Sequence, residues 1–146
     1  MNTVNNINSN NLELRVMSST ENLSLIREFV SQSALRFLIR KEVIDKLILA
    51  VDEAASNIIR HAYKNSPEGV IIVTFTCDDK ECTIILTDYG TGFNPSQVKS
   101  PDMLSYLKEK KRGGLGIHLM KILMDEVDYL SVSGEYNKLV LKKKIA

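Results

Sequence analysis

Apolar residues recur at steps of three and four from about Lys41 to Tyr63. Val43, Leu47, Ala50, Ala54 and Ile58 form one line, and Ile44, Ile48, Val51, Ala55 and Ile59 widen it to roughly half the circumference. This spacing predicts an amphipathic helix with one face in a core. Asn57 falls just outside the apolar arc, and Glu53, one turn earlier, lies a little further round. A carboxamide and a carboxylate therefore stand one above the other at the border of the buried face. Upstream, Leu12-Glu13-Leu14-Arg15-Val16 alternates apolar and polar, as a half-buried strand does. A helix follows, opened by Ser18 with Glu21 in the spacing of a capping box, its apolar stripe being Leu23, Ile26, Phe29 and Val30.

Downstream the period changes to two. Val70 to Thr76 and Cys82 to Thr87 are rich in β-branched residues and bracket Asp78-Asp79-Lys80-Glu81, which predicts an antiparallel hairpin. The second strand runs into Asp88-Tyr89-Gly90-Thr91-Gly92. A long, weakly patterned connection follows, ending in the basic run Lys108 to Arg112, and such a connection suits a lid or binding loop. Gly113-Gly114-Leu115-Gly116 then opens a helix with Ile117, Met120, Leu123, Met124 and Val127 on its core face. Two last strands are expected at Tyr129 to Ser133 and Leu139 to Ile145. The order predicts an α/β (α+β) fold, a two-layer sandwich with helices on one face of a mixed, largely antiparallel sheet.

Composition narrows this picture. Hydrophobic residues make up 44% and charged ones 25% of 146, which suits one globular domain. That domain is expected over 12–146, behind a flexible Asn-rich tail at 1–11. The formal net charge of +1 argues against a broad nucleic-acid footprint. No apolar run reaches the roughly 18 residues that span a membrane, and the opening residues lack the pattern of a secretory leader. Cys77 and Cys82 form neither a zinc pattern nor a disulfide framework, so reduced packing thiols in a cytoplasmic protein are expected.

Two glycines after Asp88 permit positive φ or close approach to bare backbone. Glycines feeding a helix N-terminus leave amide groups for an anion. There is no P-loop, and Gly114-Leu115-Gly116 lacks the third glycine and the preceding strand of a dinucleotide fingerprint.

Taken in order, Glu53-x-x-x-Asn57, Asp88-x-Gly90-x-Gly92 and Gly114-x-Gly116 resemble the GHKL ATPase superfamily. Within it, Asp52-Glu53-Ala54-Ala55-Ser56-Asn57 and Gly114-Leu115-Gly116-Ile117 are similar to the anti-sigma-factor serine/threonine kinases of the RsbW and SpoIIAB type. The resemblance covers nearly the whole chain after the tail. It implies a Bergerat-type fold binding ATP and Mg²⁺, with Asn57 offering its amide oxygen to the metal. Asp88 would accept from the adenine amino group, and Gly90 and Gly92 would let the chain pass close to base and ribose. Lys111 and Arg112 would meet the phosphates, as would the amides of Gly114, Leu115 and Gly116. Glu53 would orient and deprotonate the attacking hydroxyl.

The implied activity is phosphoryl transfer from ATP to a serine or threonine of a STAS-type anti-anti-sigma protein, by an enzyme that otherwise holds a sigma factor as a homodimer. Two alternatives stay open: an ATP-dependent binding switch without transfer, and the ATP domain of a histidine-kinase-like system.

Overall fold

In the computed structural model, which describes residues 3–8, 11–91 and 115–145, six strands form one sheet with helices on one side. The strands are β1 (Thr3–Asn8), β2 (Asn11–Met17), β3 (Val70–Cys77), β4 (Glu81–Asp88), β5 (Glu126–Val132) and β6 (Tyr136–Lys144). Their order is β1-β2-β3-β4-β6-β5, and every described pairing is antiparallel. The two-layer architecture is the one the periodicities predict.

Alternation decides which way each strand faces. Leu12, Leu14 and Val16 of β2, Ile71, Val73 and Phe75 of β3, Ile84 and Leu86 of β4, and Leu139 and Leu141 of β6 are buried, while their neighbours on the other face, Thr87 excepted, are partly or fully exposed. Against this apolar face lie α1 (Leu23–Arg36), α2 (Lys41–Asn57) and α3 (Leu115–Leu123), with α2 in the middle and in contact with both others. Each fully buried Leu, Ile or Phe contributes about 1.5–3 kcal/mol of transfer free energy. That drive holds α2, with Val43, Ile44, Leu47, Ala50, Val51, Ala54 and Ala55 all buried, in a fixed rotation over the sheet.

Four local expectations are corrected. The expected flexible tail at 1–11 contains β1, whose residues pair with β2 from Thr3↔Arg15 to Asn8↔Asn11. Asn-rich sequence hides the alternation that would announce a strand, and the open edge of β2 supplies the partner. The helix start is capped by Ser19, whose Oγ accepts from the Glu21 amide at 3.3 Å. Ser18 is instead buried and ties the end of β2 to the turn before β3, donating to the Ser66 carbonyl at 2.6 Å and accepting from the Gly69 amide at 2.9 Å. Finally, α3 stops at Leu123, and β5 and β6 each begin three residues earlier than expected. Asp125 drives that difference: its amide donates to the Lys142 carbonyl and its carboxylate accepts from the Lys144 amide, so pairing starts at once.

Cys77 and Cys82 are directly paired across the β3–β4 hairpin, buried as thiols with their sulfurs 2.9 Å apart. Burial pushes both thiols up, away from the reactive thiolate. No described helix is long and apolar enough to cross a membrane.

Candidate functional site

Asn57 is the last residue of α2, and a π-helical turn, Ile58–Ala62, continues from it. Only 5% of Asn57 is exposed, so it lies further into the core than the helical wheel suggests. Its Oδ1 accepts from Arg60 Nη2 at 2.9 Å. A guanidinium only donates, which fixes the orientation of the amide. Asn57 Nδ2 and Arg60 Nε are both buried and have no hydrogen-bond partner among the described residues. Orphaned buried polar atoms cost about 1–3 kcal/mol each, and they mark a place where a ligand can supply the missing contacts.

Two adjacent acids on α2 have different surroundings. Asp52 forms an ion pair with Arg27 of α1 at 2.6 Å, so it fastens one helix to the other. Glu53, one turn before Asn57, is partly exposed and carries no hydrogen bond or ion pair among the described residues. The uncommitted carboxylate is the one available for chemistry.

Asp88 ends β4 on the same face as Ile84 and Leu86, and is 3% exposed. Its Oδ1 accepts from the Gly90 amide at 3.0 Å and from Asn137 Nδ2 at 2.9 Å. Burial raises its carboxyl above the ordinary carboxylate value, and the bonds from Asn137 and Gly90 oppose that shift. Asn137, directly across from Asp88 in β6, also donates to the Gly90 carbonyl at 3.0 Å and accepts from the Ser131 hydroxyl at 2.6 Å. The acid is thus held by a polar chain spanning three strands.

The loop after Asp88 is tied to the end of α2. The Thr91 amide donates to the Ala62 carbonyl at 2.9 Å, and a Cβ placed on Gly90 would lie 2.3 Å from that same oxygen. Only glycine permits this approach. The Tyr63 hydroxyl adds a second tie, accepting from the Tyr89 amide at 2.8 Å and donating to the Val70 carbonyl at 2.6 Å. Beside these strand ends opens a cavity of about 460 Å³, lined by Tyr89, Gly90, Thr91, Ser131, Tyr136 and Asn137 among others. Glu53 and Asn57 are not among its lining residues.

Of the residues expected from the motifs, Glu53 and Asn57 share α2, and Asp88 with Gly90 is fastened to the turn that continues it. Leu115 and Gly116 open α3, which packs on α2. Gly92, Lys111, Arg112 and Gly114, with the expected lid, lie outside the described residues. Sequence reasoning missed Asn137, which sits in what reads as a turn, and Arg60. A basic residue three positions after Asn57 was a signal that could have revealed the latter.

The model of the histidine kinase-like ATPase domain family matches residues 16–143. The chain is 31% identical over 137 residues to the anti-sigma F factor of Clostridium acetobutylicum, covering 94% of this chain and 95% of that one. It is 33% identical over 132 residues to the serine-protein kinase RsbW of Bacillus subtilis, covering 87% and 82%. To the protein of that name in Staphylococcus aureus it is 34% identical over 131 residues, covering 84% and 80%.

Proposed function

This chain belongs to the histidine kinase-like ATPase domain family, and on that premise we propose that it is an ATP-dependent protein serine/threonine kinase acting as an anti-sigma factor. It transfers the γ-phosphoryl group of ATP to a serine or threonine of a STAS-type anti-anti-sigma partner, and otherwise holds a sigma factor. The reading includes a cytoplasmic homodimer. The observation that carries it is the division of labour on α2: Asp52 is committed to Arg27, while Glu53, one turn from Asn57, is unpaired among the described residues.

Asp88 accepts from the exocyclic amino group of adenine through Oδ2, to which no described residue donates. Gly90 keeps that loop against Ala62, so the base and the α2 residues are held by one rigid junction. Asn57 would hold Mg²⁺ through its carboxamide oxygen, a hard ligand that would have to exchange its bond from Arg60 Nη2 for the metal, while the orphaned donors Asn57 Nδ2 and Arg60 Nε suit phosphate oxygens. Mg²⁺ held there would offset the negative charge of the phosphates. Leu115 and Gly116 open α3, and in this reading the amides of its first turn donate to the phosphates. Lys111, Arg112, Gly114 and Gly92 complete it in this reading.

Glu53 orients the partner's hydroxyl and accepts its proton as the oxygen attacks the γ-phosphorus and ADP leaves. The transition state for phosphoryl transfer is loose, so positioning outweighs basicity and an ordinary carboxylate suffices. The added phosphate carries about two negative charges at the contact and weakens the complex with the STAS partner.

The test is labelled ATP with purified STAS partner, comparing wild type with Glu53→Ala. The variant is expected to bind ADP like wild type and to lose at least about a hundredfold in transfer, the usual contribution of a general base. Unchanged labelling would refute the assignment.

A further inference from the structure

Asn137 has an orientation that its neighbours leave no freedom to change. The carboxylate of Asp88 and the carbonyl of Gly90 only accept, so both bonds to them, at 2.9 and 3.0 Å, come from Nδ2. Oδ1 then faces Ser131, whose hydroxyl is its donor at 2.6 Å. Asn137 is 4% exposed and Asp88 3%, so water does not compete for these groups. Two donors, Asn137 Nδ2 and the Gly90 amide, converge on the same carboxylate oxygen, Oδ1. Rotating the carboxylate would strip both of their acceptor, at the cost of buried unpaired donors.

We propose that Asn137 is a positioning residue for purine selection: by saturating Oδ1 it holds Asp88 with one acceptor oxygen toward the base edge, favouring a 6-amino over a 6-oxo purine. The proposal rests on the nucleotide-site reading above. A 6-amino purine brings a donor to Oδ2. A 6-oxo purine brings an acceptor to position 6 and its N1–H donor lies one ring atom away, so an Oδ2 held fixed opposite position 6 meets a lone pair in a buried place, the strong form of discrimination a site can exert. Without Asn137 the carboxylate can turn, and nothing keeps an acceptor fixed at that edge. Ser131 belongs to the same device, because its hydroxyl holds the Asn137 amide in register from the neighbouring strand.

The proposal is tested by calorimetric titration of the full chain with ADP and with inosine diphosphate, its 6-oxo counterpart, in the presence of Mg²⁺. Wild type is expected to prefer ADP. In Asn137→Leu the preference should fall about tenfold or more, the worth of one hydrogen bond to a charged group, through loss of ADP affinity with little change for the inosine nucleotide. Ser131→Ala, at an exposed position, should lower the preference about threefold without disturbing the fold, and it decides the matter if Asn137→Leu folds poorly. A merely structural role for Asn137 would weaken both nucleotides in parallel. Parallel weakening, or a preference that survives both substitutions, overturns the proposal alone. Wild-type protein that binds neither diphosphate overturns the nucleotide-site reading, and this proposal with it.

Discussion

Gly90→Ala isolates the junction between α2 and the Asp88 loop. The new methyl carbon would lie 2.3 Å from the Ala62 carbonyl oxygen, 2.7 Å from its carbon and 3.1 Å from its Cβ. The first two are backbone atoms, so no side-chain rotation relieves the clash; the loop must retreat by about 1 Å to reach ordinary contact. That movement pulls Thr91 N from the Ala62 carbonyl, now 2.9 Å away, and Tyr89 N from the Tyr63 hydroxyl, now 2.8 Å away. Overpacking of this kind costs about 1–3 kcal/mol, and each lost hydrogen bond about 1 kcal/mol. Alanine returns about 0.4–1 kcal/mol by restricting the unfolded chain. The net expectation is a loss of about 2–4.5 kcal/mol, which at a slope of about 2 kcal/mol per molar lowers the urea midpoint by about 1–2 M. Gly134→Ala provides the control: its φ is +77° but its Cβ would meet nothing within 4 Å, so the cost is backbone strain alone, about 1 kcal/mol. Equilibrium urea unfolding followed by far-UV circular dichroism measures both. A Gly90→Ala midpoint within about 0.2 M of wild type would refute the rigid junction.

Asp88→Asn should reverse the usual cost of losing a site residue. Burial holds the Asp88 carboxyl above its ordinary value of 3.8, so the folded chain binds its proton more tightly than the unfolded chain does. Its contribution to stability therefore falls as pH rises from 3.8 through the raised folded value, and the deficit is fully present above that. Asparagine keeps an acceptor for Gly90 and Asn137 without the charge. The variant should equal or exceed wild type in urea midpoint at pH 7, lose that advantage toward pH 3, and bind ADP poorly; a variant clearly weaker than wild type at pH 7 would count against this account. Tyr63→Phe keeps the ring packed on Gly69 but removes both bonds of the hydroxyl, and should cost about 1–2 kcal/mol, lowering Tm by about 3–7 °C. An unchanged Tm would show that the hydroxyl is not a structural tie.

The layers were legible because burial on one face writes a period into the sequence: two for β3 and β4, 3.6 for α2. Asp88 was singled out by another route, the ordered motif Asp88-x-Gly90-x-Gly92 and the family it resembles, and its burial at the end of β4 came only with the structure. β1 was not, because asparagines carry no alternation and its pairing comes from the backbone of β2. Asn137 was hidden by distance. Its meaning lies in a partner 49 residues away, and within its own hairpin it looks like any turn former. Ser18 misled in the same way: its spacing to Glu21 matched a local cap, whereas its hydroxyl bonds to residues 48 and 51 positions on. Local chemistry is readable from neighbours in the chain; a tertiary bond is readable only once the register is known.

The π-helical winding after Asn57 makes chain length itself a determinant of the site. Its hydrogen bond spans five residues, from the Tyr63 amide to the Ile58 carbonyl, where ordinary winding spans four. Removing one residue of that turn, His61 for instance, would restore the tighter helix. The Ala62 carbonyl would then swing round the axis by about 100°, away from Thr91. Glu53, Asn57 and Asp88 would all be intact, yet the end of α2 and the Asp88 loop would no longer be in step. A single-residue deletion there is a lesion of spacing, and it would be invisible to any inventory of motif residues.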